Sequence, residues 1–279
     1  MREPPRNRRG RAALAVAIVL VLAACGVDNR LGADAANALV SGAGRDYAIA
    51  QATTAAMSCF KLEEALTATP PQIATGRAAW IDARLAYDRG AAMFFIAVPE
   101  IDRIVDGRLD DPLTVTGLRY LEQPLFGMPL GSAAELSRIG STMAEGAVRL
   151  PSALGDAPNL TAQDLLGSMA AQAAVVATKL DGSDSPHAGQ SHLSIANNLI
   201  GLQALYGILQ PLVEVANPGL DARIRGLLAS LRLQITGVPN VDAVRDKLTF
   251  LRDCSELSQA LLEVGVALGI SVSAPVDVT

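Results

Sequence analysis

Apolar and polar positions along this chain recur with the rhythm of helices. Behind a basic start (Arg2, Arg6, Arg8, Arg9, Arg11) the first apolar stretch, 12–24, runs unbroken for 13 residues. A membrane-spanning helix takes about 20 apolar residues, so this run fits the core of an export signal over 1–24. Residues 25–45 are small and polar (Gly26, Asp28, Asn29, Gly32, Ser41, Gly42, Gly44) and read as a flexible tether. From there, apolar residues at i, i+3, i+4 and i+7 predict helices over about 46–68, 72–97, 114–126, 132–150, 161–180, 191–216, 219–236 and 241–269. Asp46 is a candidate N-cap for the first, and Thr161 with Asp164 a capping box for the fifth. Thr69-Pro70-Pro71, Pro99, Gly127-Met128-Pro129, Asn217-Pro218-Gly219 and Gly237-Val238-Pro239-Asn240 punctuate the pattern. No stretch alternates like a strand between hairpin turns. The expectation is an all-α protein, an up-and-down helical bundle of long antiparallel helices over 46–270, with a C-terminal tail at 271–279.

The signal closes on Leu22-Ala23-Ala24-Cys25, which resembles a bacterial lipobox. Such a sequence makes Cys25 the acylated N-terminus of an exported lipoprotein, held to the cell membrane on its extracytoplasmic face; two acyl chains anchor stably at about 0.8 kcal/mol per buried methylene. Without the signal the chain carries a net charge of −9, which disfavours nucleic acid and anionic lipid as partners. Half of the residues are apolar but only 4% are aromatic, so the core is built from Ala, Leu, Val and Ile in closely packed helices. Cys59 and Cys254 remain after acylation. Their even number in an oxidising compartment leads us to expect a disulfide between them, closing a loop of about 195 residues for about 5 kcal/mol; the alternative is two buried free thiols.

Several short segments occur in a telling order: Trp80, Arg84 and Tyr87 on one helix, Glu100-Ile101-Asp102 beyond it, Gly117-Leu118-Arg119-Tyr120-Leu121-Glu122, then Ser191-His192-Leu193, Asn197 and Pro211. Together they resemble the imelysin-like family over roughly 50–270, which includes EfeO- and EfeM-type components of ferrous-iron uptake. The resemblance implies paired helical bundles facing a cleft, a divalent metal such as iron as ligand, and delivery to a membrane permease; the absence of any second-domain segment makes the EfeM-type arrangement the nearer. It also implies a Gly-x-His-x-x-Glu signature, and here Arg119 stands at the His position. A second His–Glu pair that the family implies on the 161–180 helix is replaced by Ser168-Met169. Arg is protonated at any working pH and only donates hydrogen bonds, so it cannot ligate a metal; three residues from Glu122 it is expected to pair with that carboxylate.

The candidate ligand-binding residues are therefore Glu122, Arg119, Glu100, Asp102 and Trp80, with Glu122 and Asp102 as oxygen donors to a metal, hard cations suiting such donors best. Each has a plainer reading: a helix ion pair for Glu122, a solvated connector for Glu100 and Asp102, core packing for Trp80 and Tyr87, local hydrogen bonding for His192 and solvation for His187. A His-Glu-x-x-His pair and a Gly-x-Ser-x-Gly elbow are both missing from the sequence, so no catalytic residues are expected. The first functional expectation is a lipid-anchored binding protein accessory to iron uptake with an altered metal site. The others are a non-metal envelope scaffold or an anion binder, Arg119 donating to a carboxylate or phosphate.

Overall fold

In the computed structural model, residues 29–107, 116–157 and 160–272 are described; the signal 1–24, Cys25 and residues 273–279 lie outside them. Helix and loop account for the described residues, with no strand. The expected all-α class is observed.

The largest departure from expectation is at the start. Residues 29–44 are not a flexible tether. They form α1 (Asn29–Leu39) and a π-helical turn (Val40–Gly44) that run without a break into α2 (Arg45–Thr67). The cause is a stripe of small buried positions, Gly32, Ala36, Val40, Gly44, Ala48 and Ala52, spaced by four. An ideal helix turns about 100° per residue, so a four-residue spacing drifts by about 40° at each step. The wider π turn takes up that drift and keeps the stripe facing its neighbours. Asp46 consequently lies in the first turn of α2 behind Gly44, itself in helical conformation, and is not an N-cap.

α3 (Ile73–Ala97) returns antiparallel to α2, and α6 (Ala133–Asp156) completes the first bundle with them. Pro99, expected to open an irregular connector, is the first residue of α4 (Pro99–Asp106), where its missing N–H costs nothing. α5 (Leu118–Phe126) follows. The second bundle is α7 (Ala162–Thr178), α8 (Ser191–Ala216), α9 (Pro218–Ile235) and α10 (Lys247–Ala267), with α3 packing against α7 and α8 to join the two. The capping box of Thr161 and Asp164 is formed. α8 is long and apolar enough to cross a membrane, yet it buries Asn197 and Asn198 among core leucines and is the core helix of this bundle. It approaches α3 so closely that a Cβ on Gly201 would lie 2.4 Å from the Arg89 carbonyl oxygen.

The expected disulfide is absent. Cys59 and Cys254 are free and buried, because α2 and α10 belong to different bundles; burial pushes both thiols up to about 12. The tail boundary also moves: the Ile270 N–H bonds back to the Gly265 carbonyl at 2.8 Å, and Val272 lies over Gly265.

Candidate functional site

The site lies where the two bundles meet. It is reached from the sequence through Trp80, Arg84, Tyr87 and Asp88, which share one face of α3 and are all buried. Trp80 Nε1 donates to the Leu118 carbonyl at 2.8 Å, and its ring meets Phe126 edge-on at 5.1 Å. Trp80 is thus core, and it docks α5 onto α3. The entry to α5 is set by two glycines with positive φ, Gly107 at 78° and Gly117 at 95°. Their backbones touch: a Cβ on Gly117 would come within 2.4 Å of the Gly107 nitrogen. That contact places the end of α4, with Asp106, beside the start of α5, with Arg119.

Six charged side chains meet there. Arg84 is central, donating to Asp106 at 2.6 Å and to Asp184 at 3.1 Å, with Asp88 at 3.4 Å. Arg119 donates from Nε to Asp106 at 2.9 Å and lies 3.6 Å from Asp184. Lys179 Nζ donates to Ser194 at 2.7 Å and faces Asp184 at 3.3 Å and Asp88 at 3.4 Å. Three cations balance three carboxylates. All are nearly sealed from water except Asp106 and Arg119, whose side chains are 17% and 33% exposed and form the rim.

The electrostatics follow from the pairing. Burial by itself would raise Asp184, but Arg84, Lys179 and Arg119 outweigh it and hold the carboxyl well below the usual carboxylate range. Burial opposes the charge on Arg84 too, yet Asp184, Asp88 and Asp106 keep its guanidinium protonated more firmly than usual. Because the folded Asp184 binds its proton more weakly than the unfolded one, its contribution to stability is complete above about pH 4 and is lost as pH falls through the folded value. Thermal melts should thus show a Tm that drops below about pH 4, and a shallower drop in Asp184→Asn. Equal slopes would mean that the cluster does not hold this proton off.

Arg119 and Glu122 do not pair with each other. Glu122 is buried, and its Oε1 accepts three bonds from the α7–α8 loop: the Ser185 hydroxyl at 3.0 Å, the His187 N–H at 2.9 Å and the Ala188 N–H at 2.8 Å. Arg119 faces the same loop through Asp184. The two motif residues, three apart on α5, therefore act as a clamp on residues 184–188. Of the other candidates, Glu100 is exposed and Asp102 accepts a short hydrogen bond from the Tyr87 hydroxyl. Burial first, and then Asp102, raise that hydroxyl's pKa well above the usual phenol value. His192 is buried in the first turn of α8, hydrogen-bonds the Gly189 backbone and leaves Nδ1 without a partner. His187 is exposed. Ser168 donates to the Ala92 carbonyl at 2.5 Å, and Met169 is core.

A metal does not fit this donor set. Asp106 and Asp184 face guanidinium groups, one of the two Glu122 oxygens already accepts from three donors, and among the described residues no three His, Cys, Asp or Glu side chains converge as ligands. A family model described as imelysin, with the label peptidase M75, matches residues 43–263. The chain belongs to the imelysin family. No curated protein matches it in sequence. The family label names a peptidase; residues 117–122 of this chain supply an ion pair and a loop clamp. Sequence reasoning placed Arg84 on one helix with Trp80 and Tyr87 and missed its partners. Lys179 carried a usable signal, being the one charged residue between Asp164 and Asp181. Asp184 carried none, since it looks like any acidic residue of a polar loop.

Proposed function

We propose that this imelysin-family chain is a lipid-anchored, extracytoplasmic binding protein that works through contacts with a protein partner, without catalysis and without carrying a metal at the Gly117–Glu122 motif. The observation that supports this best is Arg119, whose guanidinium sits against Asp106 and Asp184 where the family motif has an imidazole. A fixed positive charge among those carboxylates excludes a divalent cation by repulsion and takes up the oxygens that would bind it. The iron-uptake setting implied by the resemblance then fits an accessory that supports a membrane permease while the cargo is held elsewhere. The anion-binding alternative is weaker, because Arg119 already faces two carboxylates and has little charge to offer a third.

Calorimetric titration of the mature domain, with Cys25→Ser to keep it soluble, tests this against ferrous iron under anaerobic conditions, zinc, copper and manganese. No saturable one-site binding is expected for the natural sequence, nor for Arg119→His, in which Arg84 and Lys179 still occupy Asp106 and Asp184. Tight one-site binding by the natural sequence that disappears in Glu122→Ala would overturn the reading in favour of a metal carrier.

A further inference from the structure

The continuous helix from Asn29 constrains how the protein stands on its membrane. Four Cα–Cα steps separate Cys25 from Asn29, a reach of at most about 14 Å. A 20-residue extended tether would have reached about 70 Å. From Gly32 onward α1 is packed: a Cβ there would sit 3.1 Å from the Leu268 carbonyl oxygen, just past the end of α10. The neighbouring ends gather at the same place. Asn37 on α1 accepts from the Ala162 N–H at the start of α7 at 2.8 Å. Arg223, near the start of α9, pairs at 2.7 Å with Glu263 near the end of α10. This end also exposes apolar side chains, Val266 in the last turn of α10 at 78% and Val215 in the last turn of α8 at 37%.

We propose that this end of the second bundle, formed by the first turn of α1, the α8–α9 turn and the last turn of α10, rests on the phospholipid headgroups of the membrane that holds the anchor. The inference depends on Cys25 being acylated. Val266 and Val215 face the headgroup layer. The net charge of −9 makes zwitterionic lipid the fitting surface, with the anchor supplying the attraction. The Arg84–Arg119 cluster is then held away from the bilayer. The Tyr47 hydroxyl donates to the backbone carbonyl of Arg89, next to Asp88, at 3.0 Å, and Tyr47 lies about 27 Å along the helix from Asn29. The clamp and the first bundle are therefore presented outward, to a partner in the aqueous space.

The test uses the full lipidated protein in phosphatidylcholine vesicles bearing a headgroup-linked acceptor dye. A donor dye is placed on Val266→Cys or, as the distant control, on Phe60→Cys, which is 57% exposed in α2. Cys59 and Cys254 are buried and the Cys25 sulfur is acylated, so the introduced thiol takes the dye. Energy transfer from position 266 should exceed that from position 60 roughly twofold or more, given about 46 Å of helix between Asn29 and Phe60. Equal or reversed transfer, with the acyl mass found on the Cys25 peptide by mass spectrometry, overturns this orientation and leaves the lipoprotein reading standing. Absence of the acyl mass overturns both.

Discussion

Arg84→Met is expected to lower the unfolding free energy by about 3–5 kcal/mol, the cost of breaking a buried ion network by removing one partner. Arg84 is 4% exposed and serves Asp106, Asp184 and Asp88 at once. Methionine fills much of the volume but leaves three carboxylates in a desolvated place with only Lys179 and the rim residue Arg119 against them. For a domain whose whole stability is about 5–15 kcal/mol, such a loss reads as a large fall in the denaturation midpoint. Guanidinium unfolding followed by Trp80 fluorescence measures it directly, because Trp80 is the only tryptophan and is 1% exposed beside α5. Arg252→Ala is the control: its side chain is 64% exposed against Glu256 and Asp253, Asp253 keeps its bonds from Ser230 and Gln234 without it, and ion pairs of so exposed a side chain contribute about 0–1 kcal/mol. A loss at Arg84 no larger than at Arg252 would mean that water reaches the cluster and screens it. Adding Asp184→Asn to Arg84→Met should recover part of the loss, since it removes one of the stranded charges.

The second large effect is expected at Gly117. Its φ of 95° and ψ of 173° fall in a region that is essentially open to glycine alone, and other residues held there cost about 1–3 kcal/mol. A Cβ would in addition press on Gly107 and the Asp106 carbonyl carbon at 2.4–2.6 Å, all backbone atoms with nowhere to rotate. Overpacking adds about 1–3 kcal/mol. Gly117→Ala should thus cost about 2–6 kcal/mol by denaturation, and it should also separate Asp106 from Arg119. That separation has its own readout. Trp80 donates to the carbonyl of Leu118, the next residue, so the native-state Trp80 emission should shift in Gly117→Ala but stay put in Gly201→Ala, whose clash lies against Arg89. Unchanged emission and stability would show that the α4–α5 junction tolerates a side chain.

Both effects concern residues whose identity the sequence displayed but whose circumstances it hid. Gly117 was legible as the glycine of a family motif; its contact with Gly107 depends on how α4 and α5 meet. Arg84 was legible as a motif residue on the helix that carries Trp80 and Tyr87. That it is the hub of a charge cluster follows only when Asp106 from α4, Asp184 from the loop after α7 and Lys179 from the end of α7 arrive at the same point. The pairing of Arg119 with Glu122 was a local expectation from their spacing on one helix, and tertiary neighbours overrode it. Asp106 offered Arg119 a bond at 2.9 Å, while the loop offered Glu122 two backbone N–H groups and a hydroxyl. Charged groups under burial take whichever partners desolvate them least badly, and helix spacing alone does not name those partners.

Residues 25–45 teach the complementary lesson. Their composition of Gly, Ala, Ser, Asp and Asn is that of a linker, and the same small residues are what a helix needs where backbones pack closely. Composition cannot separate the two, because the difference lies in whether Leu268 and its neighbours are there to receive Gly32.

What the sequence determined by itself was the periodic part of the problem. Apolar spacing set the helical class, most helix boundaries and the capping box at Thr161, since these depend on interactions within a few residues. The family, too, was legible from the order of short motifs. What only the tertiary structure decided was who meets whom across the chain: the absence of a Cys59–Cys254 bridge, the fusion of residues 29–44 into a long helix, and the pairing of Arg119 with Asp106 and Asp184 rather than with Glu122. Those outcomes rest on contacts between residues tens of positions apart, where burial makes charge pairing decisive, and no local pattern encodes which distant side chain will be the nearest.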